Sequence, residues 1–145
     1  MSWNKIKSVD YLVVHCSATK EDMDIGVADI RRWHRQRGFL DVGYHYVIRR
    51  DGTIEKGREE TVPGAHARGF NEKSLGVCLV GGVESDGETA EQNFTPQQYE
   101  SLKSLLFDLR DKYPGSQVLG HRDLPRVNKA CPSFDMPQLW HHWNR

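Results

Sequence analysis

Three short apolar runs along the chain predict β-strands. Tyr11–Cys16 and Leu75–Val80 are apolar at successive positions, which is typical of a central strand covered on both faces. Gln117–Gly120 is a shorter run of the same kind. Together these runs predict the middle of a sheet.

A fourth pattern predicts a β-hairpin. Residues 43–50 and 53–56 are rich in strand-forming side chains and flank Asp51-Gly52, a pair that favours a two-residue turn between antiparallel strands. This hairpin is expected to join the same sheet.

Helical spacing of apolar positions predicts two short helices. The first carries Val27, Ile30 and Trp33 on one face together with His34, and Gly38 is suited to a left-handed helix end. The second lies near the C-terminus, and its apolar positions are Leu139, Trp140 and Trp143.

A longer helix is predicted from its start signal. Thr95 is a good N-cap, Pro96 fits the first helical position, and Gln98 completes a capping box. Pro114-Gly115 ends the segment. Its apolar stripe lies at Tyr99, Leu102, Leu105, Leu106 and Leu109. Strands interleaved with helices predict a single α/β domain over residues 1–145, with a mixed central sheet flanked by helices.

Composition excludes several classes of protein. The chain has 145 residues, 20 Lys and Arg against 20 Asp and Glu, and a formal net charge of +0. It is too apolar for a disordered chain, and its apolar runs are too short for a membrane span. Balanced charge argues against a broad electrostatic grip on nucleic acid or anionic lipid. Met1–Asp10 shows no export signal, so a cytoplasmic location is expected.

The three cysteines divide into two kinds. Cys16 and Cys78 lie inside apolar runs and are expected to be small core residues. Cys131 lies in a polar stretch interrupted by proline, where a buried thiol would have little apolar company. An odd number of cysteines predicts no disulfide framework.

Most of the seven histidines are expected to be structural or incidental. His34 shares the apolar stripe of its helix, and His141 and His142 are expected on the surface. His45 alternates with Tyr44, so in a strand their side chains point to opposite faces.

His15 lies at the end of one predicted strand, His121 follows another, and Cys131 lies ten residues after His121. Ligand sites collect at strand ends in open α/β sheets. Two imidazoles and a thiolate suit Zn²⁺, and three protein ligands leave a fourth position for water, as in a catalytic site. The spacing contains no HExxH or CxxC pattern, so the residues alone leave a metal site and ordinary histidines both open.

Five motifs resemble a known family in their order along the chain. They lie at His15–Lys20, Gly43–Tyr46, Gly76–Gly82, Asn93–Pro96 and Lys129–Asp135. These segments closely resemble the zinc N-acetylmuramoyl-L-alanine amidases, which include small lysozyme-amidases of podovirus-type phages and the peptidoglycan recognition proteins. The resemblance runs from Tyr11 to Asp135, and it implies the family's α/β fold.

The resemblance also implies roles for individual residues. His15, His121 and Cys131 match the zinc ligands. Tyr44 matches a tyrosine beside the metal and Lys129 a lysine near the cysteine ligand, and both would donate to the oxyanion of the reaction. The stretch that resembles the substrate groove contains His66, Ala67, Asn71 and Ser74.

The implied function is hydrolysis of the amide between N-acetylmuramic acid and L-alanine in peptidoglycan or a muropeptide. A phage-type endolysin would act as a monomer and reach the wall from the cytoplasm through a holin, whereas a bacterial enzyme would recycle wall fragments. Phage relatives also imply a possible RNA polymerase partner. Three alternatives stay open: a cysteine hydrolase built on Cys131, a non-catalytic peptidoglycan-binding module, and a glycosidase using Glu59 and Glu60.

Overall fold

The computed structural model describes residues 5–144. Residues 1–4, on which part of the export-signal prediction falls, and residue 145 lie outside the described part of the predicted domain. The strands are β1 (Tyr11–Cys16), β2 (Thr19–Lys20), β3 (Tyr46–Ile48), β4 (Ile54–Lys56), β5 (Ser74–Leu79), β6 (Gly82–Val83) and β7 (Gln117–Gly120). The α-helices are α1 (Val27–Gln36), α2 (Pro96–Lys112) and α3 (Met136–Trp143). Short 3-10 helices lie at Asn71–Lys73 and His121–Asp123.

The main sheet has five strands in the order β4-β3-β5-β1-β7. β3, β5, β1 and β7 run parallel, and β4 pairs antiparallel with β3. The predicted mixed sheet is therefore confirmed. A separate parallel pair, β2 with β6, is not predicted by the sequence, because two residues per strand are too few to show a periodic pattern.

Both faces of the sheet are covered, as the apolar character of β1 predicts. Alternate residues of β1, including Leu12 and Val14, pack with Leu102 and Leu106 of α2 in the largest core cluster. On the opposite face, Ile30 of α1 belongs to a second cluster. The fold thus has three layers, with the sheet between α1 and α2.

The predicted helix signals are confirmed at the level of atoms. The backbone N–H of Gln98 donates to Thr95 Oγ1 at 3.1 Å, and the Thr95 N–H donates to Gln98 Oε1 at 3.0 Å. Gly38 has φ +95° just beyond α1, a conformation that glycine adopts without steric cost. The capping box and the glycine therefore fix where these helices begin and end.

The hairpin forms, but its first strand is shorter than predicted. β3 begins at Tyr46 rather than at residue 43. The Arg49 N–H donates to Thr53 O and the Gly52 N–H donates to Arg49 O, both at 2.9 Å. His45 and the residue before it also pair with neighbouring chain segments, but not in the regular ladder of a strand.

Candidate active site

Parallel pairing of two strands brings the first two candidate ligands together. In the β1–β7 register, Val14 lies opposite Gly120, so His15 and His121 leave the same edge of the sheet. Their ring centroids lie 4.5 Å apart. His15 is buried and His121 is half-buried, so one imidazole lies below the other at the floor of a pocket.

The third candidate ligand arrives on the loop between β7 and α3. The N–H of Arg122 donates to Cys131 O at 2.8 Å, and the N–H of Cys16 donates to Cys131 Sγ at 3.0 Å. Gly120 permits this close approach, because a Cβ there would lie 2.7 Å from Pro132 Cδ. The loop therefore holds Cys131 Sγ against the end of β1.

The resulting donor cluster contains both histidines and the cysteine. One ligand atom from each of His15, His121 and Cys131 lies within 4.8 Å of the others. Tetrahedral zinc with bonds of about 2.0–2.3 Å separates such donors by about 3.3–3.6 Å. An ion would thus draw these atoms together by no more than about 1.5 Å, and the donors fit zinc in number and chemistry.

Tyr44 and Lys129 lie in the same pocket as the donor cluster. The Tyr44 ring centroid lies 5.0 Å from that of His15 and 5.5 Å from that of His34. Burial raises the pKa of Tyr44 well above its ordinary value, and the nearby thiols, Cys78 first, raise it further. Its hydroxyl is therefore a neutral donor at all physiological pH values. Lys129 is exposed at the pocket rim.

The pocket has a volume of about 270 Å³ and a cationic lining. Arg37 and Lys129 are its fully charged residues, and no carboxylate lines it among residues 5–144. Glu59 and Glu60, the pair considered for glycoside hydrolysis, are not among its lining residues. Glu60 instead accepts hydrogen bonds from Tyr46, Lys112 and Tyr113.

Comparison with known proteins gives the pocket a family. The sequence profile of the family described as N-acetylmuramoyl-L-alanine amidase matches residues 5–134, which include all of these pocket residues. The chain belongs to the N-acetylmuramoyl-L-alanine amidases. This confirms the enzyme class that the motifs predicted, a hydrolase of the bond between N-acetylmuramic acid and L-alanine.

Individual relatives of this amidase agree with the family. The endolysin of Klebsiella phage KP32 is 49% identical over 140 residues, covering 97% of this chain and 91% of that protein. The endolysin of Escherichia phage T7 is 51% identical over 134 residues, covering 92% and 87%. Among solved structures, the amidase LysC from Clostridium intestinale has a TM-score of 0.77 and 29% identity, covering 99% of this chain and 91% of that one. The similarity in sequence and the similarity in fold thus each cover nearly the whole chain.

Burial keeps the two candidate histidine ligands uncharged near pH 7. Burial lowers the pKa of His15 well below its ordinary value, and the neighbours His66, His121 and Lys129 lower it further. Burial and then Lys129 lower the pKa of His121. Both rings are therefore neutral near pH 7, which leaves each a lone pair for a metal.

A hydrogen bond couples the two cysteines that line the pocket and favours a thiolate, with its negative charge, on Cys16 rather than on Cys131. A hydrogen bond with Cys131 lowers the pKa of Cys16 to about 7, and the same contact raises the pKa of Cys131. A cation bound next to Cys131 Sγ would draw that charge onto Cys131, because a coordinating thiol is deprotonated outright.

The four residues expected in the substrate groove are not equally placed. His66 lines the pocket, whereas Ala67 is 2% exposed and Ser74 is 0% exposed. Asn71 Oδ1 accepts the backbone N–H groups of His66 at 3.0 Å and Ala67 at 2.9 Å, and Asn71 borders a separate depression. The structure therefore brings only His66 of this group to the candidate site.

Sequence reasoning missed the pocket's arginine and its phenylalanine. Arg37 and Phe39 line it, with the Arg37 guanidinium 5.2 Å from the centre of the Phe39 ring. A cation and an aromatic residue shortly before Tyr44, beyond the end of α1, are the signal that could have revealed them. His34 also lines the pocket, and its Nδ1 accepts the Gly43 N–H at 2.8 Å, which confirms the prediction of a satisfied buried histidine.

The remaining expectations about cysteines, histidines and membranes can be compared directly. Cys16 and Cys78 are buried free thiols, and Cys131 is a half-buried one. His141 and His142 are exposed on α3. Within residues 5–144, no helix is both long and apolar enough to cross a membrane.

Proposed function

We propose that this amidase is a phage endolysin that depends on zinc held by His15, His121 and Cys131. The observation that carries the proposal is the approach of these three donors to within 4.8 Å of one another beside Tyr44. The endolysins of phages KP32 and T7, at 49% and 51% identity, support the biological setting. Peptidoglycan is the substrate class of the family.

The chemistry divides between the ion and the chain. When bound, zinc supplies a Lewis acid that polarises a carbonyl and lowers the pKa of water. Tyr44 supplies a neutral hydroxyl donor and Lys129 a mobile ammonium, and both are proposed to stabilise negative charge that develops on the amide oxygen. Tyr44 lies in contact with the rings of His15 and His34, whereas Lys129 lies at the exposed rim.

The pocket's charge is suited to the proposed substrate. Stem peptides of peptidoglycan carry free carboxylates, and Arg37 and Lys129 are cations at the pocket surface. His66 is proposed to form part of the substrate groove at the floor of the pocket. Ala67, Asn71 and Ser74 are proposed to shape the groove from beneath, because two of them are buried and Asn71 holds the backbone.

Further proposals concern the oligomeric state, the location and the partners of the chain. As an endolysin the chain would be a monomer that accumulates in the cytoplasm and reaches the wall through a holin. It would act on intact wall, whereas a recycling enzyme would prefer soluble muropeptides. Binding to a phage RNA polymerase is a further proposal, and co-purification of the chain with such a polymerase tests it.

Replacing the thiolate donor tests the metal proposal. Cys131→Ser is expected to lose stoichiometric zinc and wall lysis while it still binds purified peptidoglycan, because the groove remains. The matched control is His141→Ala, which removes an exposed histidine on α3 and should retain zinc and lysis. Zinc content is measured after gel filtration, and lysis by loss of turbidity. Full lysis by Cys131→Ser would refute the proposed centre.

Chelation and product analysis separate the alternatives. Removal of metal with EDTA should abolish lysis and zinc should restore it, whereas a cysteine hydrolase would ignore EDTA and be inactivated by iodoacetamide. An amidase releases new N-terminal alanine from purified wall, and a glycosidase releases new reducing sugar. Release of reducing sugar without alanine would contradict the proposed reaction.

A further inference from the structure

A chain of hydrogen bonds connects the sheet to the back of His15. Ser74 Oγ lies 2.7 Å from Phe70 O and 3.2 Å from His66 Nε2. His66 Nδ1 then lies 2.8 Å from His15 Nε2. The ring planes of His15 and His66 are nearly perpendicular, at 85°. Three side chains thus form one relay that ends at a candidate metal ligand.

The donor and the acceptor of each hydrogen bond in this chain follow from the first acceptor, the carbonyl oxygen of Phe70. A carbonyl oxygen only accepts, so the single hydroxyl proton of Ser74 is donated to Phe70 O. Ser74 Oγ must therefore accept, and between neutral groups its donor is His66 Nε2–H. This leaves the lone pair of His66 on Nδ1, where it accepts a hydrogen bond from His15 Nε2–H. The lone pair of His15 is consequently on Nδ1.

The opposite tautomers are disfavoured by the same geometry. If His66 carried its proton on Nδ1, its Nε2 would need the hydroxyl proton of Ser74. Ser74 Oγ and Phe70 O would then face each other at 2.7 Å without a proton between them. His15 would also carry its proton on Nδ1, and that nitrogen could not bind a metal.

The fold holds the relay in place from two sides. Gly76 gives room for the His66 ring, because a Cβ at this position would lie 2.7–2.9 Å from three of its atoms. Asn71 Oδ1 fixes the backbone at His66. Ser74 and Gly76 alternate on β5, next to β1, and so present the same face as His15. His66, at 9% exposure, is accordingly buried next to His15.

We propose that His66 and Ser74 are positioning residues that hold His15 as the Nε2–H tautomer and present its Nδ1 to the metal. The expected effect on zinc affinity rests on the metal centre proposed above. The tautomer of His15 is itself a property of the metal-free chain. It gives His66 and Ser74 a role other than direct contact with substrate. Partners that orient a ligating histidine commonly change metal affinity by about 10–100-fold when they are removed.

Zinc affinity distinguishes positioning from general support of the fold. His66→Leu keeps an apolar side chain of similar size but removes the acceptor, and it should weaken zinc binding by about 10–100-fold in a chelator competition. His66→Asn restores an acceptor near the Nδ1 position and should recover most of that affinity. Ser74→Ala should lie between the wild type and His66→Leu.

The matched control is a second buried histidine on the same face. His45 Nε2 bonds Val62 O at 2.7 Å, and its Nδ1 accepts the Gly76 N–H at 3.0 Å, so His45→Leu also removes two buried hydrogen bonds. It should lower thermal stability but leave zinc affinity within about threefold of the wild type. If His66→Leu and His45→Leu weaken zinc equally, the positioning role is refuted.

A measurement on the unmodified chain keeps the test independent of folding in the variants. Nitrogen-15 NMR of the metal-free protein should show His15 with its proton on Nε2 and a bare Nδ1. A predominant Nδ1–H tautomer would overturn the proposal even if zinc binds well. If the wild type binds no zinc while His15 is an Nε2–H tautomer, the metal centre fails and the relay stands.

Discussion

Replacing Glu60 by Gln should destabilise the fold, because this carboxylate joins three parts of the chain. Tyr113 Oη donates to Glu60 Oε1 at 2.6 Å and Lys112 Nζ at 2.9 Å, while Tyr46 Oη donates to Oε2. Glu60 thereby links the segment after β4 to β3 and to the end of α2. Its side chain is 16% exposed, so water replaces few of these contacts.

The size of the loss follows from the donors. A hydrogen bond to a charged group contributes about 1.5–3 kcal/mol. The Lys112 side chain is 60% exposed, so its ion pair contributes about 1 kcal/mol or less. Gln keeps one oxygen that can accept from one tyrosine, but it loses the charge and the second acceptor. Glu60→Gln should therefore lower the free energy of unfolding by about 2–3 kcal/mol at pH 7.

The loss should depend on pH with a definite sign. Burial alone would raise the pKa of Glu60, but hydrogen bonds from Tyr113 and Tyr46 outweigh it, so the pKa lies below its ordinary value. A depressed pKa stabilises the folded state above the unfolded value of about 4.3. That stabilisation disappears as the pH falls through the lower folded-state pKa. The gap between wild type and variant should be constant near neutral pH and shrink below about pH 4.3.

Urea unfolding followed by tryptophan fluorescence measures both effects. The matched control is Glu59→Gln, since the Glu59 side chain is 75% exposed and lies 3.9 Å from Lys56. This change should stay within about 0.5 kcal/mol of the wild type. A loss below about 0.5 kcal/mol for Glu60→Gln, or a loss that is unchanged between pH 7 and pH 3, would refute the reasoning.

Three further substitutions test the site and the core. Tyr44→Phe removes the proposed hydroxyl donor and should lower kcat on purified peptidoglycan by on the order of 100–1,000-fold; unchanged zinc content and wall binding are the controls, and near-normal turnover would contradict the role. Leu106→Ala empties a fully buried position on α2 and should cost about 2–5 kcal/mol in urea unfolding, and a smaller loss would contradict the expected cavity. Thr95→Ala removes the α2 cap and should cost about 1 kcal/mol, with Gln97→Ala as a neighbouring control that leaves the cap intact.

Local signals were sufficient for most of the secondary structure. Tyr11–Cys16 forms the predicted central strand, and Thr95 with Gln98 begins α2 at the predicted residue. These features are determined by neighbours within one or two turns of chain, and so the sequence displays them directly. The β2–β6 pair and the observed start of β3 depend on partners that are distant in the chain. The sequence therefore did not predict the pair, and the predicted start of β3 was too early.

The family motifs predicted which three residues would form the donor cluster, but not how these residues are supported. His15 and His121 meet as expected, because parallel pairing of β1 with β7 aligns strand ends more than a hundred residues apart in the chain, and the loop after β7 adds Cys131. Arg37 and Phe39 were not predicted, because only the folded structure shows that the segment after α1 lines the pocket.

The sequence by itself determined most of the strands, the start of α2, the family and the identity of the candidate ligands. Only the tertiary structure decided what lies behind them. Ser74 and His66 resemble groove residues in the sequence, yet in the fold they lie behind the pocket, where Ser74 contacts His66 and His66 contacts His15. Glu60 is one of two adjacent glutamates, and only the approach of α2 distinguishes the buried carboxylate from the exposed one. The physical reason is that hydrogen-bond partners and burial depend on residues far apart in the chain, which no local pattern records.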